Sequence, residues 1–179
     1  MSHETRLTHE LRSLLHSQRV AALGTIGDES APFVSMVPYA IEPSRGCLVI
    51  HVSGLAGHTR NLQARPAVSL LVMQPEVPAE PVHALPRVTL EGLAQVLEPQ
   101  SPEFLNCRAA YLARFPQAQF MTELGDFRFV AVEVSRARQV AGFGAARSID
   151  AQEIRRVLAL GAEGDNASQP PQKSQPLDP

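Results

Sequence analysis

The sequence lacks the features that several large protein classes require. Its two cysteines, Cys47 and Cys107, are too few and too scattered for a disulfide framework or a zinc site. A formal net charge of -2 leaves no basic excess for nucleic acid, and the longest apolar runs are too short to span a bilayer. The polar N-terminus is not typical of a secretory signal. We therefore expect a cytoplasmic protein that binds neither nucleic acid nor membranes and has no metal site.

Motifs of common enzyme classes are also missing. The sequence has no Walker loop, and no Gly-x-Gly-x-x-Gly follows a strand. Ser53 lacks the Gly-x-Ser-x-Gly setting of a hydrolase nucleophile. His9 and His16 stand seven residues apart, whereas a zinc-protease helix needs a spacing of four. No catalytic residue can be named from these patterns.

Strand-like runs separated by turn residues make up much of what the sequence does contain. With 179 residues and 44% apolar content, the chain is long enough for one domain with a core. The predicted strands cover residues 20–26, 32–39, 48–53, 67–73, 87–97 and 127–134. Gly92 interrupts the fifth run, as glycine does at a bulge or a barrel corner.

Helical spacing of apolar residues occurs beside and between these runs. Helices are predicted over residues 4–19, over two turns before Pro66, over residues 102–115 and from residue 151 onward. In the third of these helices we expect Leu105, Ala109 and Leu112 to form the buried face. A loop with four prolines, at residues 75–86, separates the fourth and fifth strands.

The last helix has the clearest local signature. Asp150 is the predicted N-cap, with Glu153 three residues later as in a capping box, and Ile149 and Ile154 occupy the positions of a hydrophobic staple. Residues 161–179 have almost nothing to bury, which predicts a flexible tail. Since the strands do not alternate regularly with helices, a doubly wound sheet is not expected. We predict a mainly β domain over residues 1–160, a small antiparallel barrel with flanking helices.

The stretch from residue 47 to residue 73 carries the strongest chemical signal. Between its two strand-like runs lie several donors suited to an anion: Ser53, His58, Thr59, Arg60 and Asn61. Free amides at the start of a helix near Gly57 would add further donors. This set predicts a phosphate-binding corner, although the same residues could form an ordinary solvated helix face.

Several segments together resemble the FMN-binding split barrels related to pyridoxamine 5'-phosphate oxidase, and most closely the haem-utilisation branch of that superfamily. The matching segments are APFVSMVPYA (31–40), HVSGLAGHTRNLQARPAVSLLV (51–72), RVTLEGLAQV (87–96), RAAYLARFPQA (108–118), GDFRFVAVEVSRARQVAGFGAA (125–146) and SIDAQEI (148–154). The resemblance covers residues 7–160. It implies a six-stranded antiparallel split β-barrel that forms a homodimer, with two flavin sites in the clefts between subunits.

The resemblance also implies which residues meet the cofactor. An FMN phosphate needs cations and hydrogen-bond donors, because an unpaired dianion is costly in a dry cleft. The implied cofactor-binding residues are Ser35, Met36, Val37, Pro38, His51, Val52, Ser53, His58, Thr59, Arg60, Asn61 and Arg87. Residues 58–61 would hold the phosphate, and the main chain of 35–38 would meet the flavin ring. Alternatively, Ser35 is a strand serine bonding its neighbours, and Arg87 is a charge on the barrel rim.

The resemblance supports three functions. The first is an FMN-dependent oxidoreductase acting on a small molecule; the second is a haem-binding or haem-degrading utilisation protein; the third is a non-enzymatic flavin binder. Haem needs an axial ligand, commonly histidine. Some haem-utilisation relatives supply a histidine from a C-terminal extension, whereas the sequence after Leu160 contains none. This departure counts against haem ligation and haem breakdown, but it leaves open a ligand such as His83 or His51. Pyridoxamine phosphate oxidase activity itself is not expected, because the segment ARQVAGFGAARSI stands where basic substrate-phosphate residues would lie.

Overall fold

The computed structural model describes residues 4–161, within which seven strands and four α-helices form a barrel with flanking helices. The strands are β1 (Val20–Ile26), β2 (Pro32–Glu42), β3 (Cys47–Ser53), β4 (Ala67–Met73), β5 (Arg87–Val96), β6 (Phe127–Val140) and β7 (Ala146–Asp150). The helices are α1 (Arg6–Ser17), α2 (Gly57–Ala64), α3 (Pro102–Arg114) and α4 (Ala151–Ala159). All six predicted strands and all four predicted helices are present.

The barrel closes through a pairing between strands that are distant in sequence. The strand order is β3-β2-β1-β4-β5-β6, every pair is antiparallel, and β6 pairs with β3 to complete the ring. Closure leaves no unpaired edge around the barrel, which removes a template for aggregation. The predicted six-stranded antiparallel split barrel is therefore confirmed.

A seventh strand was not predicted. The first half of β6 pairs with β3, whereas its second half lies between β5 and β7 and pairs with both. The sequence of β7, ARSID, is short and does not alternate between polar and apolar residues, and only Ile149 is buried, so its strand signal is weak. Gly142 and Gly144, both with positive φ, form the turn between β6 and β7, as expected of a tight glycine turn.

Gly92 lies at an irregularity in the pairing of β5 with β6. The register shifts between Glu91 and Gly92, which confirms the predicted bulge. A Cβ atom at position 92 would lie 2.1 Å from the carbonyl oxygen of Glu133 on β6. Only glycine therefore allows β5 and β6 to approach this closely.

The core has two parts, one inside the barrel and one outside it. Inward-facing residues of the six barrel strands fill the interior, and α1 and α4 contribute to the same cluster through Leu11, Leu15, Ile154 and Leu158. The outer part lies under α3, where Cys107 and Tyr111 pack on β3 and β6. Burial of these side chains supplies the main favourable free energy of folding.

The buried face of α3 differs from the prediction. Leu105 is 50% exposed and Ala109 is also exposed, whereas Cys107 and Tyr111 are buried and Phe104 packs against them. The prediction was wrong for Leu105 and Ala109, because apolar spacing allowed two faces, but Leu112 does pack against this cluster. The face that carries two aromatic rings buries more apolar area than the face with leucine and alanine.

The cap of α4 agrees in part with its sequence signal, whereas the cap of α1 was not predicted. The Asp150 side chain accepts a hydrogen bond from the Glu153 amide at 2.8 Å, and Ile149 and Ile154 are both buried. The Glu153 carboxylate binds Arg147 instead, so only one half of the capping box forms. Helix α1 starts later than predicted because Thr5 caps it, accepting from the Thr8 amide. The predicted tail, 161–179, lies outside the described residues from position 162 onward.

Within residues 4–161, none of the helices combines the length and the apolar character that crossing a membrane requires.

Candidate functional site

The N-terminus of α2 is open to an anion. Helix α2 begins at Gly57 after a turn that follows β3, and Ala56 at its N-cap provides no side-chain cap. The first amides of a helix have no acceptor within the helix, so the Gly57 and His58 amides can donate outward. Three residues of the helix, together with Ser35 on β2, form what we call the α2 corner: Gly57, His58, Arg60 and Ser35.

Ser35 and His58 are in direct contact at this corner. Ser35 Oγ and His58 Nδ1 lie 3.0 Å apart, which joins β2 to the first turn of α2. Partial burial lowers the pKa of His58, so its imidazole is neutral near pH 7. Arg60 is exposed, and its side chain forms no hydrogen bond or ion pair with the rest of the chain over residues 4–161. The corner thus offers an uncommitted guanidinium beside two free amides.

Thr59 and Asn61 also lie at the start of α2, but they bind the protein itself. Thr59 is buried, and its hydroxyl donates to the Ser53 carbonyl oxygen at 2.6 Å. Asn61 Nδ2 donates to Thr25 Oγ1 on β1 at 3.0 Å. These two bonds attach α2 to the end of the barrel, so they position the corner and leave fewer donors for a ligand.

Ser53 and Arg87 make their bonds elsewhere. Ser53 Oγ donates to Asp126 Oδ2 at 3.0 Å and accepts from the Leu55 amide. Arg87 begins β5 and donates to the carbonyl oxygen of Leu85 at 3.0 Å. Since a strand rises about 3.3 Å per residue, Arg87 lies roughly 20 Å along β5 from Leu93. The structure does not bring Arg87 to the α2 corner.

The remaining residues implied by the resemblance point in different directions. Val37 and Val52 face the barrel interior and are buried, whereas Met36 lies on the outer face of β2 and is exposed. Pro38 pairs with Val20 farther along the same strand. Their side chains therefore do not converge on one site, although the main chain of residues 35–38 borders the α2 corner through Ser35.

His51 lies in an aromatic cluster under α3. Its ring stacks on Phe127 at a centroid distance of 4.9 Å and also contacts Phe129 and Tyr111. The side chain is 7% exposed, and Nδ1 is buried with no hydrogen-bond partner among residues 4–161. Burial lowers the pKa of His51 to about 4, against the opposing attraction of Asp126. His51 is therefore a neutral, enclosed imidazole on the opposite face of β3 from Val52.

An apolar groove adjoins the α2 corner. It has a volume of about 810 Å³ and runs across the ends of β1, β2, β4 and β5 on the outside of the barrel. Its walls include Phe33, Val34 and Leu93, and the Arg136–Glu91 ion pair lies at its rim. A Cβ atom at Gly57 would lie 3.6 Å from the Phe33 ring, so the groove and the corner are in contact.

The groove was not predicted from the sequence. The sequence feature that could have indicated the groove is that both faces of β2 are apolar: Phe33 and Val34 are neighbours that point in opposite directions. Such a strand is buried on both sides or leaves one apolar face uncovered. The other residues that line the groove, on β4, β5 and β6, are distant from β2 in sequence, and only the closure of the barrel brings them to it.

Comparison with curated proteins finds two haem oxygenases. The chain is 26% identical over 150 residues to the haem oxygenase HutZ of Vibrio cholerae, covering 83% of this chain and 84% of that protein. It is 33% identical over 139 residues to the chloroplastic haem oxygenase HOZ of Arabidopsis thaliana, covering 76% of this chain and 41% of that protein. The chain thus spans less than half of the plant protein.

The chain is also similar to a solved haem-binding structure, and it matches one family model. A haem-binding protein from Mycobacterium smegmatis superposes with a TM-score of 0.75 at 31% identity, covering 84% of this chain and 60% of that chain. The family model described as pyridoxamine 5'-phosphate oxidase matches residues 7–141, which is most of the described barrel. The chain therefore belongs to the pyridoxamine 5'-phosphate oxidase family of split barrels.

Proposed function

We propose that this protein binds haem in a cleft formed by the apolar groove, the α2 corner and a second copy of the chain. The similarity to two haem oxygenases and to a haem-binding structure supports this choice of ligand. The observation that carries the proposal is the contact between a large apolar groove and an anion-binding corner. A flat apolar ring system with negatively charged substituents fits that combination.

The groove suits the apolar part of such a ligand. Its volume of about 810 Å³ lies within the usual range for small-molecule and cofactor sites, roughly 300–1,000 Å³. Val34 and Leu93, which both point outward from the barrel, would provide apolar contact for a planar macrocycle. Bound haem would supply a redox-active iron, while the chain's own residues would hold and orient it.

The two carboxylates of haem would need cationic partners. Arg60 at the α2 corner has an uncommitted guanidinium, and Arg136 lies at the groove rim, paired with an exposed glutamate. Arginine binds carboxylates through two parallel hydrogen bonds. Arg60 is the better partner, because it has no ion pair to break within the described chain.

Of His51, His58 and His83, His58 is the best placed residue to bind the iron of a haem. Its Nδ1 is held by Ser35, which would fix the ring and leave Nε2 for a metal, as is usual for ligating histidines. Partial burial keeps the imidazole neutral, which metal binding requires. By contrast, His51 is enclosed by aromatic rings, and His83 lies in an exposed loop.

A second copy of the chain would cover the exposed apolar face. Val34 is 68% exposed, Met36 is 65% exposed and Leu93 is 58% exposed, and all three point outward from the barrel. Apolar patches of this kind usually mark an interface. We expect Leu93→Glu to convert a dimer into a monomer in sedimentation, whereas Leu55→Glu, at an exposed site in the turn before α2, should not. A wild-type monomer would contradict this part of the proposal.

FMN is the second candidate, because the α2 corner also suits a phosphate. The helix N-terminus, Arg60 and His58 provide donors and positive potential at one point. In this case the ring would lie in the same groove, and the function would be that of a flavin-dependent oxidoreductase or a flavin carrier. FMN and haem would then compete, so saturating FMN should raise the apparent dissociation constant of haem.

Variants of α2 test the proposed site. Arg60→Ala should weaken binding of the true ligand by about 1.5–3 kcal/mol, the range for hydrogen bonds to charged groups. Arg65→Ala, at the other end of the same helix, is the matched control and should bind normally. His58→Ala should alter the haem absorption bands and should only weaken FMN. Unchanged binding of both ligands by Arg60→Ala and His58→Ala would exclude this corner.

Breakdown of bound haem would be the next activity to measure. The curated relatives are named haem oxygenases, so the loaded protein should lose its haem absorption band when a reductant and dioxygen are supplied. A stable band would indicate that this chain stores or carries haem without breaking it down.

A further inference from the structure

The fold brings the two cysteines together. Cys47 begins β3 and Cys107 lies on the inner face of α3, sixty residues later in the sequence. Both side chains are fully buried, at 1% and 0% exposure, and they belong to the same cluster under α3. Their thiols form a hydrogen bond with each other. Two free thiols in contact are the starting arrangement for a disulfide.

Arg45 makes the surroundings of this pair partly electropositive. It acts electrostatically on both sulfur atoms, and its Nη1 is buried without a hydrogen-bond partner among residues 4–161. Its Nη2 is bound to Glu133 at 2.7 Å. Two carboxylates oppose the electrostatic effect of Arg45 on the thiols: Glu42 acts on both sulfurs, and Glu103 acts on Cys107. The unpaired guanidinium nitrogen can stabilise a thiolate that forms beside it.

The two sulfur atoms are not equivalent. The hydrogen bond from Cys47 lowers the pKa of the Cys107 thiol, against the opposing effect of burial. The same bond, together with burial, raises the pKa of Cys47. Cys107 is therefore the more acidic partner, and it forms a thiolate more readily than Cys47 does.

From this geometry we propose that Cys47 and Cys107 form a redox modification site, which hydrogen peroxide converts into an intramolecular disulfide joining α3 to β3. The Cys107 thiolate attacks one peroxide oxygen and breaks the O–O bond, and the departing hydroxide takes up the thiol proton as water. The Cys47 sulfur then attacks the sulfenic acid and displaces hydroxide, which takes up the second proton. Two thiols lose two electrons in total, and the peroxide is reduced to two waters.

Burial makes the reaction slow, because the peroxide reaches the sulfurs only when α3 moves away from β3. Once formed, the disulfide would hold that helix on the aromatic cluster around His51. It would close a loop of about sixty residues, a length at which a cross-link restricts the unfolded chain strongly. Reduction by a dithiol would restore both thiols.

Peptide mapping tests the proposal on the full-length protein. The purified chain is treated with hydrogen peroxide, alkylated in denaturant and digested with trypsin, which releases residues 46–60 and 88–108 as separate cysteine peptides. We expect these two peptides to be joined, with a mass two hydrogens below their sum, and to separate after dithiothreitol. Recovery of both peptides alkylated, both oxidised to sulfinic acid, or joined only between two chains would overturn the proposal.

Arg45 provides a matched pair of variants for the rate. Arg45→Gln removes the guanidinium and should slow disulfide formation roughly three- to tenfold, as expected when a thiolate loses up to about one pKa unit of stabilisation. Glu133→Gln breaks the same ion pair but keeps the guanidinium, so oxidation should be as fast as in the wild type or faster. Equal slowing in both variants would refute the role of Arg45. The wild-type mapping is independent of whether either variant folds.

Discussion

His51 should make the stability of this protein depend on pH in a way that one substitution removes. Burial lowers its pKa from 6.5 to about 4 in the folded chain. The unfolded chain therefore binds a proton at a higher pH than the folded chain does. Above pH 6.5 His51 is neutral in both states and does not lower the free energy of unfolding. As the pH falls from 6.5 towards 4, protonation of the unfolded chain lowers the free energy of unfolding progressively, and below pH 4 this loss reaches its full size.

The size of this loss follows from the two pKa values. Each pKa unit corresponds to 1.36 kcal/mol, so a difference of about 2.5 units gives a full loss of about 3 kcal/mol. Between pH 7.5 and pH 5, the contribution is about 2 kcal/mol by the same relation. The cause is structural, because protonation would place a charge among Phe127, Phe129 and Tyr111.

Urea unfolding at several pH values measures the effect. His51→Phe removes the imidazole and its unpaired Nδ1 while keeping an aromatic ring in the cluster. We expect the free energy of unfolding of the wild type to fall by about 2 kcal/mol more than that of His51→Phe between pH 7.5 and pH 5. His83→Gln, in an exposed loop, controls for the loss of an imidazole. Parallel pH profiles for the wild type and His51→Phe would refute the argument.

Three further substitutions test the packing of the barrel and its helices. Gly92→Ala should lower the free energy of unfolding by about 3 kcal/mol or more, because the new Cβ would clash with a backbone oxygen of β6. Gly125→Ala, which has open space around it, is the control and should change that free energy by less than about 0.5 kcal/mol. Asp150→Ala should cost about 1 kcal/mol by removing the cap of α4, seen as a lower urea midpoint. Tyr39→Phe should cost about 1–2 kcal/mol in thermal unfolding, because it leaves the buried Leu15 carbonyl oxygen without its donor at 2.7 Å. If one of these variants is as stable as the wild type, the contact that it removes contributes little to stability.

Much of the barrel could be predicted because its signals are local. Short, mainly apolar runs mark β1 and β4 to the residue, and Asp150 caps α4 as its sequence pattern indicates. Gly92 was identified as a bulge because few other reasons place glycine inside a strand. Local chemistry was sufficient in each case.

The misses depend on tertiary structure. The face of α3 could not be chosen from spacing, because only the aromatic surface under the helix selects Tyr111 over Leu105. Within the candidate site, the stretch before and within α2 was correctly identified as dense in donors. Which donors remain free depends on the barrel: Thr59 and Asn61 use theirs to attach the helix, while Arg60 does not. The apolar groove arises from strands that are remote in sequence.

A haem titration of the purified full-length chain, followed by absorption in the Soret region, tests the central proposal most directly. We expect a saturable, red-shifted band at one haem per chain, on a protein that sediments as a dimer, with binding weakened in Arg60→Ala and unchanged in Arg65→Ala. A spectrum identical to that of free haem at every ratio, or saturable binding that Arg60→Ala and His58→Ala leave unaltered, would contradict it.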